Sequence, residues 1–154
     1  MSYAFGSDEY FMQQAYNQAL LAEEMGEIPV GAVIVSEGKI IAKGHNQTEL
    51  LNDVTAHAEI LALTSAFNYF GAKYLPECTL YVTLEPCTMC AGALYWSQIG
   101  RVVYGAKDDK RGYGLLLHEN GPPVLHPRTK IVTGVLADQC GELVSAFFKK
   151  LRKK

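Results

Sequence analysis

Apolar positions along this chain follow two spacings, and each spacing predicts a different kind of element. Apolar residues three and four positions apart mark one face of a helix, whereas short runs rich in Val and Ile are typical of strands. The first pattern predicts helices at 8–25, from about 55 to 70, from 86 to about 97, and over 140–151. The second predicts strands at 29–36, 40–46, 78–84, 101–106 and 131–136. The mixed stretch 107–130 contains Gly and Pro, so it predicts loops with short helical turns.

The order of these elements predicts the fold class. A β-hairpin follows the first helix, and strands then alternate with helices. Such alternation favours an α/β fold in which helices cover both faces of a sheet. We therefore expect a three-layer α-β-α fold with a mixed sheet of about five strands. No repeat, low-complexity tract or linker interrupts the 154 residues, which indicates a single domain over 1–154.

Length and composition narrow the class of protein. A chain of 154 residues, of which 49% are hydrophobic, can bury a core without disulfide bonds. The N-terminus MSYAFGSDEY lacks the pattern of a secretory signal, and no segment approaches the roughly 20 apolar residues that span a bilayer. We therefore expect a cytoplasmic protein without membrane contact. In such a protein, four cysteines, two of them in C-x-x-C spacing, indicate a metal or redox site rather than disulfide bonds.

Charge is distributed unevenly along the chain. Residues 1–100 carry 3 basic and 11 acidic residues, a net charge of −8, and residues 101–154 carry 11 basic and 5 acidic residues, a net charge of +6. The last six residues, KKLRKK, hold five of these positive charges. This asymmetry is compatible with a polyanionic partner, although a short basic tail by itself is more often a solvated helix end.

Two short stretches carry candidate metal ligands. Residues 84–92 read LEPCTMCAG, and a helix opened by Pro86 would place Cys87 and Cys90 on one face of its first turn. The positive end of the helix dipole favours the thiolate form that zinc requires. His57, in TAHAEILAL, is expected in the first turn of the preceding helix. Two thiolates and one imidazole predict a zinc site whose fourth position stays open, as in catalytic sites.

Glu59 is the candidate proton carrier of this site. It lies two positions after His57, so both side chains can reach a site just beyond the helix end. A carboxylate beside a zinc-activated water can take its proton and pass it to a leaving group.

The remaining cysteines and histidines are not expected to bind the metal. Cys78 and Cys140 fit core positions, and His45 fits a structural role. The three-ligand site is complete without His118 and His126. A redox pair or half of a structural zinc site remains the alternative for C-x-x-C alone.

The combination of H-A-E with P-C-T-M-C resembles the signature of the zinc-dependent cytidine/deoxycytidylate deaminase superfamily. Longer stretches are similar to its branch of bacterial tRNA-specific adenosine deaminases: GEIPVGAVIV (26–35), GHN (44–46), TAHAEILAL (55–63), LYVTLEPCTMCAGAL (80–94), VVYGAKDDKRG (102–112) and GVLADQC (134–140). The resemblance covers the chain from about Asp8 to Arg152. It implies a cytidine-deaminase-like fold and one zinc ion per subunit.

The resemblance also implies a reaction and a set of substrate contacts. The reaction is hydrolytic deamination of the wobble adenosine of tRNA to inosine, with Glu59 moving the protons. Asn46 would hydrogen-bond the base, Val30, Ala58 and Pro86 would form the pocket walls, and Asp108 would lie near the sugar and backbone. The implied assembly is a homodimer that holds a tRNA anticodon stem-loop. Residues 113–130 depart from the usual sequence of this branch.

Three other functions remain open on the sequence. A deaminase of a free base or nucleoside, such as guanine, cytosine or cytidine, would use the same zinc site. A zinc module without activity would only bind RNA, although the presence of Glu59 argues against it. A thiol-disulfide protein would use Cys87 and Cys90 as a redox pair.

Overall fold

The first helix shows how closely the local sequence specifies its elements. The structure is a computed structural model that describes residues 2–153. Ser7 precedes the helix, and its Oγ accepts a hydrogen bond from the backbone N–H of Tyr10 at 3.1 Å. The acidic residues Asp8 and Glu9 follow in the first turn. Their negative charges interact favourably with the positive end of the helix dipole. The capped helix expected at 8–25 is confirmed.

The elements alternate along the chain as predicted. Their bounds, in order, are α1 Asp8–Glu24, β1 Gly31–Ser36, β2 Lys39–His45, α2 Ala58–Phe70, β3 Cys78–Leu84, α3 Thr88–Ser97, β4 Arg101–Ala106, a 3₁₀ turn Tyr113–Leu116, β5 Lys130–Thr133 and α4 Ala137–Arg152. The expected bounds of β3 and β4 are met at both ends. Among residues 2–153, no helix combines the length and the apolar character needed to cross a bilayer.

The five strands form one mixed sheet in the order β2-β1-β3-β4-β5. β1 is antiparallel to both β2 and β3, whereas β3, β4 and β5 run parallel to one another. β3 is therefore the central strand, and it is buried almost continuously, as expected for a strand covered on both faces.

Helices cover both faces of this sheet, which confirms the three-layer α-β-α prediction. The side chains of β1 alternate between the two layers. Ala32 and Ile34 pack with α2 and α3, whereas Val33 and Val35 pack with α1 and α4. Each face of the sheet thus has its own apolar core.

Two glycines of the hairpin let helices approach the sheet closely. A Cβ added at Gly31 would overlap the backbone of α1 at Ala15, and one added at Gly44 would overlap the backbone of α2 at Ala58. Neither glycine has a positive φ, so close packing rather than a special turn requires them. Gly44 therefore determines how near the start of α2 lies to β2.

Three details differ from the sequence expectations. Pro86 does not open α3, because the helix begins at Thr88 with Cys87 as its N-cap. His57 likewise lies at the N-cap of α2 rather than in its first turn. The apolar face of α4 is mostly only partly buried, with Cys140 as its one buried residue among those described. Cys140 packs into the core on this face of the sheet, whereas Leu151, near the end of the helix, is exposed.

Candidate active site

Strand ends and helix starts converge at one edge of the sheet. β3 and β4 are parallel, so their carboxyl ends lie together, at Leu84 and Ala106. The antiparallel β1 begins at this edge with Gly31, which pairs with His45 at the end of β2. The edge beyond the carboxyl ends of parallel strands is where ligands of α/β proteins bind. The residues that follow or precede these ends form the candidate site.

The three predicted ligands meet here. His57 Nδ1 lies 3.6 Å from Cys87 Sγ and 3.5 Å from Cys90 Sγ. All three ligand atoms lie within 4.8 Å of one another, and they form the one such group of three among residues 2–153. Tetrahedral zinc with ordinary bond lengths separates its nitrogen and sulfur ligands by about 3.5 Å. The two nitrogen–sulfur distances therefore match those of a tetrahedral zinc site.

Helix starts place these ligands. His57 and Cys87 are N-caps with extended backbone, and neither side chain caps its own helix. Both side chains are thus free to point beyond the helix ends. Cys90 is the third residue of α3 and is fully buried, so it forms the inner side of the ligand group.

The two thiols differ in acidity. The hydrogen bond with Cys90, followed by that with His57, lowers the pKa of Cys87 to about 4. The same hydrogen bond with Cys87, together with burial, raises the pKa of Cys90. The pair therefore readily forms one thiolate, which is the ionisation state that starts zinc binding.

Glu59 lies beside these ligands, in the first turn of α2. Its side chain is only 4% exposed. Burial raises the pKa of its carboxyl group to about 7, against an ordinary value of 4.5. A carboxyl group that titrates near neutrality can both accept and donate a proton, as a general acid-base catalyst must.

A cavity of about 130 Å³ opens at this group. Four of the predicted substrate-contact residues line it together with His57, Glu59 and Cys87; these four are Val30, Asn46, Ala58 and Asp108. Pro86 is buried but is not part of this lining, and its carbonyl instead accepts the N–H of Tyr113 at 2.9 Å. The expected wall role of Pro86 thus has no support in the cavity lining.

Asn46 is held by the backbone around it. Its Nδ2 donates to the carbonyl of Ile28 at 3.3 Å, and its Oδ1 accepts from the N–H of Thr48 at 3.3 Å. The side chain is 6% exposed. The first bond joins the segment after β2 to the backbone before β1, and the second lies within that segment, so Asn46 has a turn-forming role beside any contact with a substrate.

The residues predicted to stand outside the metal group do so. Cys78 and Cys140 are buried in the two cores, at 3% and 1% exposure. His45 Nδ1 faces Gln18 Oε1 at 3.4 Å. His126 packs its ring 5.6 Å from that of Tyr95. Neither these two histidines nor His118 belongs to the metal group.

Sequence reasoning missed Glu85, which also lines the cavity. Its carboxylate is buried, and it accepts hydrogen bonds from the loop after β4. An acidic residue at the end of an apolar strand, directly before Pro86 and Cys87, was the signal available in the sequence. Ile28, Thr48, Leu84 and Arg111 complete the lining.

Comparison with known proteins places this site in a family. The profile of the cytidine and deoxycytidylate deaminase zinc-binding region matches residues 6–106. The tRNA-specific adenosine deaminase of Bacillus subtilis (strain 168) is 46% identical over 148 residues, which cover 96% of this chain and 92% of that protein.

Solved structures agree with this placement. One from a study of A-to-I editing by tRNA:A34 deaminases is 42% identical, with a TM-score of 0.79 over 87% of this chain and 98% of that chain. The guanine deaminase of Bacillus subtilis is 31% identical, with a TM-score of 0.66 over 96% of this chain and 95% of that chain. The expected cytidine-deaminase-like fold is confirmed. This chain is a deaminase of the zinc-binding cytidine and deoxycytidylate deaminase family, in its branch of tRNA-specific adenosine deaminases.

Proposed function

We propose that this protein hydrolytically deaminates the wobble adenosine of a tRNA to inosine and releases ammonia. The observation that carries the proposal is the buried Glu59 carboxyl group beside a three-ligand metal group, in a cavity that continues into a basic groove. The relatives from Bacillus subtilis and Aquifex aeolicus, at 46% and 49% identity, are named tRNA-specific adenosine deaminases, which supports the proposal.

The residues of the cavity divide the work of the reaction. When bound to His57, Cys87 and Cys90, a zinc ion supplies a water molecule that is acidic enough to react near neutral pH. Glu59 takes one proton from the attacking water and delivers it to the ring nitrogen. It then moves the second proton, from the hydroxyl group so formed on the ring carbon, to the amino group, which leaves as ammonia. Val30 and Ala58 give the cavity apolar walls for a purine. Asn46 then reads the edge of the base, and Asp108 lies toward the sugar.

A larger groove beside the cavity supports an RNA substrate. It has a volume of about 480 Å³ and shares Ile28, Leu84, Asp108 and Arg111 with the cavity. Four basic residues, Lys107, Lys110, Arg111 and Arg152, outnumber the two acidic ones, Asp108 and Asp109, in its lining, and Phe148 of α4 adds an aromatic surface. Basic side chains bind phosphates, and aromatic rings stack on unpaired bases. A free base would need neither feature.

The C-terminal basic stretch extends this groove. α4 carries Lys149, Lys150 and Arg152 in its last turn, and Arg152 lines the groove itself. Lys153 follows, whereas Lys154, the last residue of KKLRKK, lies outside the described residues. We infer that this stretch contacts the phosphates of the anticodon stem-loop.

We also propose that the protein acts as a cytoplasmic homodimer. Apolar side chains are exposed on α2, on α3, in the loop before α2 and in and after the 3₁₀ turn: Leu50, Leu51, Val54, Tyr69, Phe70, Trp96, Leu115, Leu116 and Leu117. Exposed apolar groups of this number are typical of interaction surfaces. The mass in solution, measured by light scattering, should be twice that of the 16.9 kDa chain.

The decisive experiment offers the purified protein two classes of substrate. One is an anticodon stem-loop with a wobble adenosine, and the other is free guanine, cytosine and cytidine. The likeness to a guanine deaminase makes guanine the main competitor. We expect inosine in the RNA and no ammonia from the small molecules. Ammonia released from a free base, with no inosine in the RNA, would contradict this proposal and indicate a deaminase of free bases.

A further inference from the structure

Glu85 is a buried carboxylate that binds backbone groups instead of a cation. It directly follows β3 and is 3% exposed. Oε1 accepts the N–H of Asp108 at 3.0 Å, and Oε2 accepts the N–H of Gly114 at 2.8 Å. The two ion pairs among the described residues do not include it. A buried carboxylate is tolerated only when it is well hydrogen-bonded, so these two bonds explain its presence.

The segment of Glu85 and the loop after β4 run side by side. The N–H of Glu85 donates to the carbonyl of Ala106 at 2.8 Å, and the N–H of Tyr113 donates to the carbonyl of Pro86 at 2.9 Å. A β-bridge joins Cys87 to Gly112. The segment that carries a metal ligand is therefore the same one that holds the loop 107–116.

Two glycines of this loop make room for the carboxylate. A Cβ added at Gly112 would overlap the carboxyl group of Glu85, and one at Gly114 would lie 2.9 Å from Oε2. The backbone of Gly112 and Gly114 has negative φ, so turn geometry does not require glycine there. At these two positions the absence of a side chain lets the loop backbone approach the carboxylate closely.

The hydrogen bonds continue from Glu85 to the rim of the cavity. Asp108, whose N–H binds Glu85, accepts in turn the N–H groups of Lys110 and Arg111 at 3.1 Å each. Asp108 and Arg111 both line the small cavity and the basic groove. The position of this rim thus depends on the Glu85 carboxylate.

We propose that Glu85 is a positioning residue that fixes the loop 107–116 against the segment carrying Cys87. It thereby places Asp108 and Arg111 for the RNA substrate. It acts on substrate binding and not on the proton transfers, which belong to Glu59. The proposal about the RNA rests on the proposed function, whereas the hold on the loop is a property of the fold.

The test uses Glu85→Gln in the full-length zinc-loaded protein. An amide of the same shape retains one acceptor and turns its NH₂ group toward the other backbone N–H, which leaves one buried donor without a partner. We expect faster deuterium uptake in 107–116 and a KM for the stem-loop raised about tenfold, with kcat changed less than about threefold. The zinc content stays at that of the wild type. Glu85→Asp, which keeps both acceptors, should restore part of the KM loss.

Two matched variants complete the test. Glu77, an exposed acidic residue directly before the same strand, gives Glu77→Gln as the control that changes neither uptake nor KM. Gly112→Ala leaves the carboxylate intact but places a methyl group against it, so it should raise KM in the same way. This variant decides the question if Glu85→Gln does not fold.

Specific results would overturn the proposal. Unchanged uptake in 107–116 of Glu85→Gln would show that the carboxylate does not hold the loop. A fall in kcat with an unchanged KM, or loss of zinc, would assign Glu85 to the chemistry instead. If the wild type makes no inosine in the stem-loop, the proposed function fails, and deuterium uptake alone then decides whether Glu85 holds the loop.

Discussion

Asp8 and Arg101 form a double hydrogen-bonded ion pair that joins the first turn of α1 to the first residue of β4. Nη1 lies 2.8 Å from Oδ1, and Nη2 lies 2.7 Å from Oδ2. Tyr81 donates its hydroxyl to the same carboxylate at 2.7 Å. The pair connects residues 93 positions apart, so it helps to fix α1 on its face of the sheet.

The ion pair predicts how stability depends on pH. The Arg101 guanidinium, which donates to Asp8, lowers the pKa of that carboxyl below its ordinary value. The contribution of the ion pair to the free energy of unfolding is therefore fully present above the ordinary pKa of an Asp carboxyl. It is lost as the pH falls through the lowered pKa of Asp8 in the folded protein. Asp8→Asn should reduce the free energy of unfolding by about 1 kcal/mol at neutral pH, and the difference should disappear in strong acid.

Urea unfolding at several pH values measures this difference. Glu9→Gln is the matched control, because Glu9 has the same place near the helix dipole and no ion pair among the described residues. An equal loss in both variants would mean that the helix dipole, and not Arg101, provides the stabilisation.

Glu59 should be required for turnover but not for the metal. Glu59→Gln keeps the shape of the side chain and removes its capacity to move protons, so we expect kcat to fall by at least about 100-fold. Zinc content, measured by mass spectrometry of the native protein, should stay at one ion per chain. A fully active Glu59→Gln variant would contradict the assigned role.

Cys90 should be required for the metal itself. Cys90→Ala removes a buried thiolate ligand, so we expect loss of bound zinc and a lower melting temperature, because metal binding stabilises the folded state. Cys140→Ala is the control, since Cys140 is equally buried but lies in the other core. Zinc retained by Cys90→Ala, or lost from Cys140→Ala, would show that the ligand set is wrong.

Two glycine substitutions should have opposite effects on stability. Gly44→Ala places a methyl group into the backbone of α2 at Ala58, and we expect a loss of more than about 2 kcal/mol in the free energy of unfolding. Gly92→Ala adds a methyl group to α3 where no atom lies within 4 Å. Because alanine favours helices over glycine, this variant should gain about 0.5–1 kcal/mol.

Thermal and urea unfolding compare the two alanine variants directly. Gly44→Ala should also reduce zinc binding, because it displaces the start of α2 and with it His57. If Gly44→Ala is as stable as the wild type, the contact of β2 with α2 is looser than the structure shows.

The sequence by itself determined the element order, the fold class and the chemistry of the site. Helical and strand spacings are local properties, so β3 and β4 were bounded correctly from the pattern alone. The zinc ligands and Glu59 were also within reach, because H-A-E and P-C-x-x-C place four reactive groups at two helix starts. Charge balance and an open zinc position then separated the roles of His57 and Glu59.

Only the tertiary structure decided how the loops around the site are held. The role of Glu85 depends on backbone N–H groups of Asp108 and Gly114, which are 23 and 29 positions away. Backbone donors exist at nearly every residue, so no sequence pattern marks the two that a distant carboxylate will meet. Tertiary structure also decided that Cys87 and His57, expected inside the first turns of their helices, lie instead at the N-caps. Their place depends on how each helix start packs at the shared edge of the sheet, and that is decided only when the layers assemble.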